Sequence, residues 1–288
     1  MGEGSETARG HQSEKMGLVD FMLLYGSMVV KLSTLLNRRF ISKEDFDSPI
    51  GRALKTVLFY HNSGRYEERD YELARLHMLV KHLEEINIYD KGLLKLFQDK
   101  INRDDANYYG FRFEVAVASS LIRRKTYFQK SERPDFKILY NGNEIFIECT
   151  SVHLHSSSLP NLRRKIMLAV KEKSRKGYDK PNAALFLDVT NIYYRILLTR
   201  QPLYRDDVVR YAQEALGISG FGAAVLFVYV LNKDLNRFEL NYLRVDNQAI
   251  DPVLKNFLNQ HYNYGTHEIH EYALPEKASI PHHHFARI

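Results

Sequence analysis

Residues 133–150 read RPDFKILYNGNEIFIECT. Two short runs, Asp135–Tyr140 and Glu144–Thr150, flank Asn141-Gly142, the strongest short-range signal for a two-residue hairpin turn. Pairing across that turn sets Tyr140 beside Asn143. Counted outward, it sets Asp135 opposite Glu148, with Cβ atoms about 4.5–5.5 Å apart. Strand side chains alternate, so Glu148 shares a face with Phe146 and Thr150, while Ile145, Ile147 and Cys149 face the other way. Two carboxylates so placed repel each other unless a cation lies between them.

A helix predicted from about Ala106 to Arg124 precedes the hairpin. It places Glu114 on the face of Val117, Ala118 and Leu121, where an acid costs desolvation unless it has a partner. Glu114, Asp135 and Glu148 together make an all-oxygen donor set suited to a hard divalent cation, Mg²⁺ or Mn²⁺. The competing explanation is that each acid is paired with a nearby cation such as Arg112, Arg133 or Lys137.

After the hairpin comes a helix from about Leu159 to Lys176, opening on Pro160. Its stretch 163–176, RRKIMLAVKEKSRK, holds seven basic residues and one acid. The apolar stripe is Leu162, Ile166, Ala169 and Val170. Arg163, Arg164, Lys171, Lys173, Arg175 and Lys176 are therefore expected on the outer face, where they could grip a phosphate backbone. Ala183–Thr190, AALFLDVT, reads as a buried central strand. A helix over Tyr204–Leu216, strands over Gly222–Leu231 and Phe238–Val245, and a helix opened by Asp251-Pro252 complete the pattern. The expected fold class is α/β (α+β), a mixed β-sheet flanked by helices.

Upstream of residue 104 the chain reads as helices only. Gly17–Asn37 is densely apolar, Ser48-Pro49 is an N-cap followed by proline at the first helical position, and Tyr66–Ile88 and Asp90–Ile101 follow. The expected division is a disordered tail over 1–15, a helical N-terminal domain over 16–103, the mixed-sheet domain over 104–275 and a C-terminal tail over 276–288. Asp20 and Lys31 interrupt the apolar stretch Gly17–Leu36, which argues against a membrane span and for a buried helix of a cytoplasmic protein. The start lacks the basic and apolar regions of a signal peptide, and Glu6 stands where myristoylation wants Ser or Thr.

Composition sets the outer bounds. With 288 residues, 44% hydrophobic and 26% charged, and only 15 Gly and 8 Pro, the chain is neither fibrous nor wholly disordered. One cysteine excludes an intrachain disulfide framework and a Cys-based zinc cluster. A net charge of +6 permits a nucleic-acid partner without demanding one.

The helix bearing Glu114, then Pro134-Asp135, a hairpin, Glu148-Cys149-Thr150 near a strand end and a basic helix, resembles the PD-(D/E)XK, or restriction-endonuclease-like, superfamily over about residues 104–190. The resemblance implies a restriction-endonuclease-like sheet, with Glu114, Asp135 and Glu148 as ligands of Mg²⁺ or Mn²⁺. The lysine that this family places two residues after the strand acid is Thr150 here, and threonine cannot supply its charge. The resemblance makes Lys165, from the following helix, the first substitute and Lys137, two residues after Asp135, the second.

Other chemistry-bearing residues read more plainly. His282-His283-His284 lie in the tail, His153 and His155 follow the second strand, and Cys149 is a small buried hydrophobe. Asp188, near the end of the central strand, is a candidate supporting acid or fourth metal ligand. Gly217, Gly220 and Gly222 precede a strand instead of opening a helix, which argues against a phosphate loop. The expected function is metal-dependent hydrolysis of phosphodiester bonds in nucleic acid, DNA ahead of RNA, with a homodimer left open. The alternatives are a non-cutting nucleic-acid-binding or assembly module on the same fold, and a scaffold built on the helical third.

Overall fold

Asn141 and Gly142 both take positive φ, 50° and 77°, as the tight hairpin turn requires. Strand β2 (Phe136–Tyr140) pairs antiparallel with β3 (Asn143–Ser151), with Tyr140 opposite Asn143 and Phe136 opposite Ile147. One step further out, that register sets Asp135 against Glu148, as expected from the sequence. The computed structural model describes residues 18–103, 107–152, 161–192, 205–232, 237–263 and 268–273.

Around the hairpin lies a seven-stranded mixed sheet in simple sequential order. A three-residue strand β1 (Phe128–Lys130) pairs antiparallel with β2. Strands β3, β4 (Ala183–Asp188) and β5 (Ala223–Asn232) are parallel, and β5, β6 (Arg237–Asp246) and β7 (Glu268–Ala273) are antiparallel. All six residues of β4 are buried, as a strand covered on both faces demands.

Helix α1 (Leu18–Leu36), α2 (Pro49–Asn62), α3 (Tyr66–Tyr89) and α4 (Lys91–Arg103) form the helical third, and α5 (Tyr108–Arg123) leads into the sheet. Ser48 caps α2, its Oγ accepting from Gly51 N at 3.0 Å, with Pro49 at the first helical position. One continuous core holds Phe21 and Leu32 of α1, Leu79 of α3 and Phe97 of α4 together with Phe136, Ile147 and Phe186 of the sheet. The helical third thus buries its apolar side on the sheet domain. Helix α1 is long and apolar enough to cross a membrane by length and composition. It buries Phe21, Tyr25, Met28, Leu32, Leu35 and Leu36 and leaves Val19, Leu23 and Val30 exposed, so it is buried on one face only.

The other face of the sheet packs on α6 (Leu162–Ser174) and α7 (Arg205–Leu216) through a second core that includes Ile166, Val170, Leu185 and Leu226. Helix α8 (Pro252–His261) starts at Asp251, whose Oδ1 accepts from Val253 N at 2.7 Å. Gly222 is needed for space. A Cβ there would lie 2.0 Å from the Pro181 carbonyl oxygen, in backbone that Gly222 N already bonds through Ala183 O at 2.9 Å. Gly222→Ala is expected to cost about 2 kcal/mol by overpacking, seen as a lower urea midpoint at unchanged slope.

Candidate active site

Asp135 ends the turn that enters β2, and Glu148 lies within β3 on the face packed by α6. Both are buried, as is Glu114 of α5. The Asp135 side chain is fixed by the neighbouring strand: its Oδ2 accepts from Cys149 N at 2.8 Å. Three lysines alternate with the three acids. Lys100 of α4 donates to both Glu114 oxygens, at 2.5 and 2.6 Å. Lys130 of β1 lies 3.0 Å from Glu114 Oε2 and 3.4 Å from Asp135 Oδ1. Lys173 of α6 lies 3.7 Å from Asp135 Oδ2 and donates to Glu148 Oε2 at 2.8 Å. The ladder therefore runs Lys100, Glu114, Lys130, Asp135, Lys173, Glu148, from one face of the sheet to the other.

The two facing acids are not electrically equivalent. Burial pushes the Asp135 carboxyl up, but the ammonium groups of Lys130, Lys173 and Lys100 outweigh it, and Asp135 is held below the usual carboxylate range. Burial and then the charge of Asp135 push Glu148 up, and Lys173 offsets this only in part. Burial works against the charge on Lys130 and Lys173, yet the neighbouring carboxylates hold both above the ordinary lysine value. One atom is left over: Glu148 Oε1 is buried and has no hydrogen-bond partner. A buried carboxylate oxygen without a donor is costly.

Asp135 and Glu148 set carboxylate oxygens side by side, the donor type a hard divalent ion prefers, and Glu148 Oε1 is the one of them without a hydrogen-bond donor. Glu114 is set back behind Lys130. Among the described residues, no three His, Cys, Asp or Glu side chains form a group that could hold a metal. The expectation that all three acids meet at one point thus becomes a pair with a third acid one lysine removed.

The helix lysine that reaches the acids is Lys173, not Lys165, and the reason is helical phase. On α6, Leu162, Ile166 and Val170 are the buried residues. At 3.6 residues per turn, Lys173 falls roughly 20° from Ile166, and Lys165 roughly 100° from it. Lys165 makes no ion pair with the three acids among the described residues, and neither does Lys137, which pairs across the hairpin with Phe146. Lys173 was expected on the outer, phosphate-facing surface, but it turns inward. Arg163, Arg164, Lys171, Arg175 and Lys176 do stand exposed, with Arg163 held by Glu214 of α7 at 2.7 Å.

Lys100 and Lys130 were missed as partners of the acids. Lys100 lies three residues after buried Phe97 on α4, and Lys130 lies two residues after buried Phe128 on the same strand face, but neither position by itself says which element covers it. Asp188 lies on the opposite sheet face from Glu148, accepting from Ser151 Oγ at 3.2 Å and Thr190 N at 3.0 Å. It borders a cleft that Arg75, His82 and Arg112 also line. His153, His155 and His282-His283-His284 lie outside the described residues. No protein-family model, curated protein or solved structure matches the chain.

Proposed function

We propose that the protein is a metal-dependent nuclease that hydrolyses phosphodiester bonds in DNA, with RNA as the lesser candidate. One observation carries this reading. Asp135 and Glu148 share the ammonium of Lys173, while Glu148 Oε1 is buried with no donor. Asp135 and Glu148 would hold Mg²⁺ or Mn²⁺, which supplies Lewis-acid activation of water and of a phosphoryl oxygen. Lys173 stabilises the negative charge that grows on the phosphoryl oxygens, in the role the resemblance assigns to the missing strand lysine. Lys130 and Lys100 fix Glu114 and keep Asp135 ionised. The exposed arginines and lysines of α6 contact backbone phosphates. The place of work in this reading is the cytoplasm, with no membrane involved.

A second reading has one observation in its favour. Three ammonium groups already neutralise three carboxylates, Lys100 on Glu114, Lys130 on Asp135 and Lys173 on Glu148, which would suit a non-cutting nucleic-acid-binding module. Titration calorimetry of the full chain with Mn²⁺, beside cleavage of plasmid and single-stranded DNA in Mn²⁺, Mg²⁺ or EDTA, separates the two. The nuclease reading expects Mn²⁺ uptake that Asp135→Asn removes, and cleavage that EDTA stops. Salt-sensitive DNA binding with neither metal uptake nor cleavage would establish the module instead.

A further inference from the structure

Beside the acids lies an open part of the sheet. The face of the β1–β2–β3 meander that carries Glu148 is arranged in rows by its register. Gln129, Lys137 and Phe146 form one row. Leu139 and Glu144 form the next, and Tyr127, just before β1, extends it. On the opposite face Phe128, Phe136, Ile138, Ile145 and Ile147 are buried. On this face, among the described residues, Tyr127 is 71% and Leu139 56% exposed, and Gln129 and Glu144 are exposed too. Lys137 is half-buried and has no ion pair among the described residues. The basic end of α6, with Arg175 and Lys176 exposed, forms one wall, because Lys173 lies on Glu148.

A tyrosine and a leucine standing together on an open sheet face offer apolar and π surface with no partner within the described chain. The cations on and beside this shelf, Lys137, Arg175 and Lys176, outnumber its exposed acids, Glu144 and the Glu172 that lies 4.0 Å from Lys176, while Asp135 and Glu148 are already met by Lys130 and Lys173, so the occupant is anionic and carries flat apolar groups. Nucleic acid has both. The three strands span two gaps, about 10 Å in all, which is room for one extended strand. Stacking on Tyr127 also needs a base free of its duplex partner. Rows two residues apart are about 6.7 Å from one another. The Tyr127 row is therefore about 13 Å from the acids, at most about four nucleotides at 3.4 Å each.

We propose that this shelf seats a single strand of DNA, with a base stacked on Tyr127 against Leu139 and a phosphate on Lys137, and that it leads the strand to Asp135 and Glu148. The last clause rests on the nuclease reading; the seating does not. The test is fluorescence anisotropy of the full chain with a labelled 12-nucleotide single strand and with its duplex, in EDTA so that nothing is cut. The single strand is expected to bind at least about 10-fold tighter than the duplex. Tyr127→Ala is expected to weaken single-strand binding at least about 5-fold, the low end for one base–aromatic stack, with Tyr127→Phe retaining it. Lys137→Ala should lower the salt slope by about 0.7. Tyr127→Ala binding like the wild type, or duplex bound as tightly as single strand, overturns the shelf. Tyr127-dependent binding in a wild type that cleaves nothing in Mn²⁺ upholds the shelf and removes the nuclease. Cleavage with unchanged binding by Tyr127→Ala removes the shelf alone.

Discussion

Asp135→Ala is expected to lower Mn²⁺- or Mg²⁺-dependent cleavage by about 10³-fold, the upper part of what one preorganised electrostatic group supplies. Asp135 is the junction of the charge ladder. Its Oδ1 faces Lys130, its Oδ2 faces Lys173 and the Cys149 amide, and it is the acid that the surrounding ammonium groups keep ionised. Truncation removes one of the two facing carboxylates proposed to hold the metal and leaves Lys130 and Lys173 each with a single acid. Asp135→Asn separates chemistry from folding, because its amide oxygen still accepts from Cys149 N. The asparagine variant should lose cleavage as fully as the alanine variant while melting closer to the wild type. An asparagine variant that cuts within a few-fold of wild type would mean that the charge on residue 135 takes no part in the reaction.

The hairpin was legible because its signals are local and agree. Asn141-Gly142 fixes the turn, alternation fixes the faces, and together they set Asp135 against Glu148 before any long-range contact is known. The starts of α2 and α8 were legible for the same reason, since Ser48-Pro49 and Asp251-Pro252 carry cap and first-turn chemistry within two residues. Strand β1 was not. Phe128–Lys130 is too short to show alternation, and it forms only because β2 offers it an edge. With β1 went Lys130, the link between Glu114 and Asp135. Lys100 stayed hidden because nothing in the local pattern of α4 says that its apolar face meets α5. Lys173 was visible in the periodicity, one turn beyond Val170 on the buried stripe, but the basic composition of 163–176 drew it to the outer face. Periodicity shows which side of a helix is covered; it does not show what covers it.

Lys173→Met is expected to destabilise the metal-free protein by about 3 kcal/mol, the lower end for breaking a buried ion pair by removing one partner. The lysine side chain is 16% exposed, and its two acids are 6% and 3% exposed. Solvent therefore does little to screen Asp135 from Glu148 once the ammonium is gone. Methionine keeps most of the side-chain volume, so the loss reports charge more than packing. Mn²⁺ should then act differently on the two proteins. At the proposed site it would share the carboxylates with Lys173 in wild type, whereas in the variant it would meet a Glu148 without its lysine beside an Asp135 that keeps only Lys130. Urea melts in EDTA and in Mn²⁺ should show the variant recovering most of its deficit with metal, and a larger metal-induced shift than wild type. Stability and chemistry should part company at that point. The Mn²⁺-loaded variant regains its fold but not the ammonium that offsets charge on the phosphoryl oxygens, so cleavage stays about 10²-fold down. Lys173→Arg keeps a positive charge and should fall between the two in cleavage while melting near wild type. If Mn²⁺ leaves the variant's melt unchanged, Asp135 and Glu148 do not hold the ion, and their pairing serves the fold alone.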